Sequence, residues 1–439
     1  MALVFSPHRK SVQQENFFMG RAKEMMLEME QEPLSDVPDR LVSAHLFKNK
    51  LVHDYVFKHG FDAECSYCGD NTKVLPLKSI VEFIDNLILK YYGEASNVGL
   101  GWDSGFENDT PGFHQEGGGY IVPNNKSYYD DMHQLLFDNG FQVDDDDLEK
   151  DIADALSYHD ALIEQDPYGL NEAEERWVDW RIIKERAIKM AQEGFALDVM
   201  VKTEAARLDY LKSDIYSAQY PLQVEKGLTL YRTVYYKTKR CPLLFRDLTS
   251  PPIKYTRDLR MSKEGDAVFY GAESKETAMK EALSEDNDEY TYLGQFKTKH
   301  KLHLLDLTGI PEELSIFNQE QFLLFLFLKN FCEAISERVP EHDAIKYAPT
   351  QLVTYYFRNH LRHYEKDGSS HSLDGILYTS SIDGSMNAVL FYDNEGSRNH
   401  VELLEWQRIH QREVVSYTYP KWMKYVEAPL AFVRSIWMN

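Results

Sequence analysis

The chain has 439 residues, of which 43% are hydrophobic and 27% charged, and its formal net charge is −23. That length sets an expectation of two or three domains with a sizeable core. The negative balance excludes broad electrostatic attachment to nucleic acid or to anionic membranes, while leaving room for a local basic pocket.

Residues 1–10 carry no apolar run of signal-peptide length. The most apolar stretch, 322–328, is far too short to span a bilayer. Four scattered cysteines do not suggest a disulfide framework, so a reducing cytoplasm is the expected compartment.

In chain order, the first half reads mainly as helix. Ile80, Phe83, Ile84, Leu87 and Ile88 recur at helical spacing and predict a helix over 79–92. Residues 93–125 break the pattern, with glycines at 99, 101, 105, 112 and 117–119 and prolines at 111 and 123, and are expected to form a long loop. The acidic run 144–147 lacks the spacing of a calcium-binding loop and suits the start of a helix over 147–162. Two more helices are expected over 171–193 and 199–210.

Near residue 222 the character changes, and the boundary is placed there: a helical domain over 1–222 and a second domain over 223–439. Strands are expected at 228–234, 267–270, 290–296, 302–306, 375–379 and 388–391, with helices at 275–283, 319–338 and 350–364 between them. The resulting fold class is α+β.

Several residues in the second half carry chemistry. Arg232 sits among apolar and aromatic neighbours in a strand. It reads either as one half of a core salt bridge or as a fork for a substrate pyrophosphate. The run 260–281 places an arginine, Arg260, on a loop, a stacking aromatic, Tyr270, on a short strand, and Glu281 on the following helix. Glu281 is either a surface carboxylate or one aimed at a sugar carbon that becomes positive in the transition state. Ser380 and Asn387 flank two apolar strands and offer hydrogen bonds to a carboxamide or a ribose, or serve as turn residues.

Leu230-Tyr231-Arg232, the run Arg260 to Glu281, Leu305-Asp306-Leu307-Thr308, Tyr347-Ala348-Pro349-Thr350-Gln351 and Asp374 to Phe391 follow one another in the order of the RES family, which this half of the chain resembles over about residues 228–415. The resemblance implies a compact fold similar to ADP-ribosyltransferase toxins, with NAD as substrate and hydrolysis, phosphorolysis or ADP-ribosyl transfer as the outcome. It maps the family's arginine onto Arg232, its tyrosine onto Tyr270, its glutamate onto Glu281 and its serine onto Ser380, with Asn387 in the asparagine-bearing strand. On this reading Arg232, Tyr270 and Glu281 are catalytic, and Arg260, Ser380 and Asn387 contact NAD. Many members read Arg-Trp-Asn where this chain has Arg260-Met261-Ser262, which puts the role of Arg260 in question. The resemblance also implies a bacterial toxin with an antitoxin or regulatory partner. A homo-oligomer is expected, and no membrane or nucleic-acid partner.

The first half resembles the helical HEPN-like extension that precedes some RES domains, through Cys65-Ser66-Tyr67-Cys68-Gly69, the glycine turn at 116–119 and the aromatic-basic helix 177–189. Cys65 and Cys68 form half of a zinc site, with His53 and His59 as candidate further ligands, or else a pair of reduced thiols in a turn. Arg358-Asn359 and His363 match the spacing of HEPN ribonucleases and give an alternative function. A silent nucleotide-sensing module is the third.

Overall fold

The computed structural model describes residues 34–95, 113–115, 121–123, 127–164, 179–218, 222–225, 227–239, 243–282, 290–337, 341–365, 367–380, 383–410 and 413–418. The chain divides into two compact units, Met1–Ala173 with Leu314–Phe322, and Glu174–Glu313 with Leu323–Asn439.

The first unit mixes helices with small sheets. Strand β1 (Leu41–Ser43) leads to helix α1 (Lys50–His59), then β2 (Phe61–Glu64), β3 (Asn71–Pro76) and α2 (Leu77–Ile88). The sheet order is β1-β3-β2, all antiparallel. Helix α2 forms where the apolar spacing predicts one and buries Leu77, Ile80, Val81, Ile84 and Ile88. β4 (Tyr92–Glu94) follows. Within the expected long loop, β5 (Phe113–Gln115) pairs with β6 (Ile121–Pro123), and the rest of that loop up to residue 126 lies outside the described residues, as does the glycine turn 116–119. β7 (Tyr128–Tyr129) precedes α3 (Met132–Asp138) and α4 (Asp146–Leu156), and β8 (Leu162–Glu164) closes the sheet β4-β8-β7.

The acidic run does start a helix. The Asp145 carboxylate caps α4 by accepting the Leu148 N–H at 2.8 Å, and Asp146, Asp147 and Glu149 sit in its positive first turn. The helix stops at Leu156 rather than running to 162. Ser157 Oγ turns back onto the Ala153 carbonyl at 2.9 Å, and His159 is drawn off the helical path by two carboxylates. The returning stretch Leu314–Phe322 completes this unit: Phe317 is fully buried with its ring 5.2 Å from that of Phe141, and Asn318 Oδ1 accepts the Lys50 N–H that opens α1.

The second unit opens with α5 (Trp180–Gln192), α6 (Leu197–Thr203) and α7 (Ala205–Ser217). The expected single helix over 199–210 is two, because Glu204 interrupts it. Glu204 is buried and its carboxylate holds Arg186 Nε at 2.6 Å and Arg207 Nη1 at 3.1 Å. These three helices precede residue 222, yet Trp180, Ile183, Leu208, Leu211 and Ile215 lie in the same core as Phe357 and Ile376 of the second unit.

Next come β9 (Leu222–Glu225), β10 (Thr229–Tyr236), α8 (Phe245–Leu248), β11 (Phe269–Ala272), α9 (Lys275–Ala282), β12 (Tyr290–Thr298) and β13 (Leu302–Asp306). After α10 (Phe322–Ser336) and α11 (Ala348–His360) follow the short hairpin β14 (Arg362–Tyr364) and β15 (Ser370–Ser372), then β16 (Gly375–Thr379) and β17 (Met386–Leu390). Helix α12 (Gly396–His400), β18 (Val401–His410) and β19 (Glu413–Thr418) complete the described chain. Nine of these strands form one sheet in the order β19-β18-β12-β10-β11-β17-β16-β13-β9, with only β13 and β16 parallel. Leu230, Phe269, Phe296, Leu377 and Leu390 fill the core on one face. Ile376, Tyr378 and Val389 face the helical layer on the other. Helix α11 ends at His360, not 364, because the Arg362 N–H is taken by Tyr216 Oη at 2.8 Å and the chain leaves as a strand. Among the described residues, no helix is long and apolar enough to cross a membrane.

His159, buried in the first unit, has Nε2 2.7 Å from Asp85 Oδ1 and Nδ1 bonded to Glu94. Burial favours the neutral ring, but the two carboxylates outweigh it and raise the pKa above its ordinary value. A pKa raised in the folded state contributes stability that is fully present below the unfolded pKa of about 6.5 and is lost as pH rises through the folded value. Denaturant midpoints measured from about pH 6 to pH 9 are expected to fall with rising pH in the native protein. His159→Gln should flatten that slope and cost about 3 kcal/mol at the acidic end. An unchanged slope in the variant would contradict this assignment.

Candidate active site

Strand β10 pairs with β12 along its whole length, from Thr229↔Lys297 to Tyr236↔Tyr290. With β11 it shares one residue pair, Tyr231↔Ala272. Beyond that pair the two strands part, and Arg232 spans the split. Its Nη1 donates to the Tyr270 carbonyl at 2.9 Å, and its guanidinium carbon lies 5.5 Å from the centre of the Phe269 ring. Its partner across the β10–β12 ladder, Gly294, leaves room for the Phe296 ring, which an added Cβ would meet at 2.8 Å.

Arg232 has no carboxylate partner among the described residues, and its Nε is buried without a hydrogen bond. Desolvation pulls its pKa down to about 10. Thr233, next along the strand, also buries its Oγ1 without a partner. Arg232 Nε and Thr233 Oγ1 are thus two of several buried polar atoms of this unit without a partner, Thr249 Oγ1, Thr354 Oγ1 and His400 Nδ1 among the others.

The pair Tyr231↔Ala272 continues sideways as Ala272↔Asn387 and Asn387↔Tyr378, so Asn387 stands in the row that closes the fork. Helix α9 starts immediately after β11. Ser274 Oγ accepts the Thr277 N–H at 3.0 Å and caps the helix. Ala278 packs with Ala272 and Leu293, and Tyr231 borders this cluster. Thr277 Oγ1 donates to Asp383 Oδ2 at 2.9 Å, and Lys280 Nζ lies 3.4 Å from the same oxygen. These contacts tie α9 to the loop that starts at the buried Ser380, whose N–H donates to the Ser385 carbonyl at 2.8 Å. Glu281 occupies the helical position one turn after Thr277, and its side chain lies outside the described residues.

Tyr270 and Phe269 are consecutive in β11 and leave it on opposite faces. Phe269 underlies Arg232, while Tyr270 borders the helical layer. The Tyr270 hydroxyl accepts the Met261 N–H at 3.2 Å, and burial raises its pKa. Arg260 is turned to the end of α10, donating from Nη1 to the Ile335 carbonyl at 3.0 Å. Its own carbonyl accepts from Thr350 Oγ1. Gln351 Nε2 donates to the carbonyls of Leu259 at 2.9 Å and Ser262 at 3.1 Å. Where many members carry Trp-Asn, Met261 is instead buried in the helical core.

The structure places Asn387 in the row of Ala272 beside the helix of Glu281, and ties that helix to the loop after Ser380, while the Arg232 side chain leaves β10 on the other face of the sheet, over Phe269. It brings in Tyr270 through its backbone, and directs the Arg260 side chain to a helix terminus. Sequence reading missed Thr233 and Asp383 and gave Gln351 no role. Nothing in the local pattern marks the first two. Gln351 stood inside a quoted motif, and its signal was an amide in an otherwise apolar helix.

A cleft of about 320 Å³ lies elsewhere in this unit, lined by Asp266, Arg358, Phe391 and Tyr392 among others. It contains none of the residues above, and its arginine is already neutralised: Arg358 Nη1 holds both Asp266 oxygens, at 2.8 and 2.9 Å. We give it less weight than the fork for that reason. His363 lies on β14, past the end of the helix that carries Arg358, with Nε2 3.8 Å from Glu365. In the first unit, His53 pairs with Asp54 at 3.0 Å and His59 packs on Tyr55.

An α+β unit built on a mixed sheet with a helical layer, its sheet splitting beside a half-buried arginine, defines the class. Residues 229–410 match the RES domain, and residues 58–191 match HEPN/RES N-terminal domain 1. The chain belongs to the RES family and carries its HEPN-like N-terminal extension. The RES domain marks it as a toxin-like, NAD-related module. A search of curated proteins finds no match.

Gln351→Ala removes the donor shared by two carbonyls of the 259–262 loop. Its unfolding free energy is expected to drop by about 2 kcal/mol in denaturant titration. A change below about 0.5 kcal/mol would show that the loop is held by other contacts.

Proposed function

We propose that the second unit cleaves the bond between nicotinamide and ribose in NAD. The observation that carries this reading is the half-buried Arg232, its Nε fully buried, with no carboxylate opposite it among the described residues. A desolvated cation is costly, and one hydrogen bond to a neutral carbonyl does not offset it. An anionic ligand does, and the pyrophosphate of a dinucleotide suits a guanidinium fork.

In the proposed reaction Arg232 holds the pyrophosphate at the parting of β10 and β11. Asn387 and Ser380 orient the carboxamide or the ribose hydroxyls. As the C1′–N bond breaks, nicotinamide leaves with the electron pair, which neutralises its pyridinium charge, and the ribose carbon gains oxocarbenium character. Glu281 favours that cation over the ground state. Tyr270 walls the nicotinamide-ribose end. Water, phosphate or a protein side chain then attacks the ribose carbon, and a proton is released if the attacker is neutral. We assign the activity to a bacterial toxin restrained by an antitoxin or regulatory protein, since the RES match supports a toxin-like module.

The test is incubation of the purified full chain with NAD, with and without phosphate, and identification of products by mass spectrometry. Free nicotinamide is expected, with ADP-ribose, its phosphorylated form or a modified protein naming the acceptor. Glu281→Gln should lower kcat by about 10²–10³-fold with little change in KM, and Arg232→Gln should lower kcat/KM by about 10- to 100-fold. Full nicotinamide release by Glu281→Gln, or none by the native chain, would refute the proposal.

A further inference from the structure

We propose that the first unit binds a single thiophilic divalent metal ion, zinc by the character of its donors, between Cys65, Cys68, His45 and Asp70. The sequence pointed to the two cysteines, but the structure supplies different companions from His53 and His59. His45 Nε2 lies 3.6 Å from Cys68 Sγ and 3.5 Å from Asp70 Oδ2. The donor atoms of His45, Cys68 and Asp70 all fall within 4.8 Å of one another. Cys65 is buried at the start of the same turn, three residues before Cys68.

The separations of His45 Nε2 from Cys68 Sγ and from Asp70 Oδ2 are close to those within a tetrahedral centre. A sulfur bonded at about 2.3 Å and a nitrogen or oxygen bonded at about 2.0 Å, meeting at a tetrahedral angle, stand about 3.5 Å apart. The donor set of two thiolates, one imidazole and one carboxylate favours zinc over calcium or magnesium, which take oxygen ligands.

The surroundings are built to hold these groups in place. Cys65 N–H donates to the Asp70 carbonyl at 2.9 Å, and Gly69 N–H donates to the Cys65 carbonyl at 3.0 Å, which closes the turn between the cysteines. Gly69 has φ of 74°, a conformation that a residue with a Cβ rarely adopts. Ser66 fastens the turn to β1, with its N–H on the Leu41 carbonyl at 2.7 Å and its Oγ accepting the Leu41 N–H at 2.9 Å. His45 follows β1 directly, and its Nδ1 is held by Ser43 Oγ at 2.7 Å, which leaves Nε2 facing the sulfurs. Orientation of a ligand histidine through its second nitrogen is the usual support of a metal centre.

The experiment uses the full chain, purified without chelator and then stripped and refilled with zinc or with cobalt(II). About one zinc per chain is expected by plasma mass spectrometry. The cobalt form should show the visible bands of a tetrahedral ion and a thiolate charge-transfer band in the near ultraviolet. His45→Ala and Cys68→Ser should each weaken zinc binding at least about 100-fold, and Ser43→Ala about 10- to 100-fold. His53→Ala should leave it unchanged. If the ligand variants fail to fold, the cobalt spectrum of the native chain decides alone. An octahedral spectrum without thiolate absorption, less than stoichiometric metal after refilling, or an intact Cys65–Cys68 disulfide in the fresh protein would overturn the proposal.

Discussion

Arg232 bridges the place where β10 and β11 separate, with Nη1 on the Tyr270 carbonyl, and the second unit is organised around that span. The magnitudes favour an anion. Removing a guanidinium from water costs several kcal/mol even after relaxation. A hydrogen bond from a charged donor to a carbonyl returns only about 1.5–3 kcal/mol. Nothing acidic among the described residues covers the remainder, and the buried Nε is left over. The residues near the split fit this need for space. The single pair Tyr231↔Ala272 lets the strands diverge. The row through Ala272 then fixes Asn387, and the cap at Ser274 fixes where α9 begins.

The loop around Arg260 has a different part. Its arginine, Thr350 and Gln351 link the end of α10, the start of α11 and the residue after β11's approach. Two motifs that are distant in sequence are in this way one hydrogen-bonded unit, and the Tyr270 hydroxyl rests on it through Met261.

Much of the fold was legible because the local patterns were strong. The stripe of Ile80, Ile84 and Ile88 and the apolar runs of β13, β16 and β17 leave little choice of element. Errors fell where a tertiary partner overrode local preference. Glu204 split a helix through two arginines, His159 ended one through two carboxylates, and Tyr216 turned another into a strand at Arg362. Strands β1, β4, β8 and β18 were missed because each pairs with a segment distant in sequence. For the site, the order of motifs put forward Arg232, Ser380 and Asn387 as candidates. The split between strands could not be read, because register is not written in either strand alone. Thr233 was invisible for the same reason.

The claim that Arg232 is a vacant cation seat for an anionic dinucleotide is tested most directly by thermal melting of the full chain with and without ADP-ribose, in the native protein and in Arg232→Met. If the arginine carries an uncompensated desolvation cost, the variant keeps a melting temperature close to the native one without ligand, and only the native chain gains stability when ADP-ribose is added. A variant that melts far lower yet is stabilised by ADP-ribose as much as the native chain would show that Arg232 supports the sheet and has no part in binding.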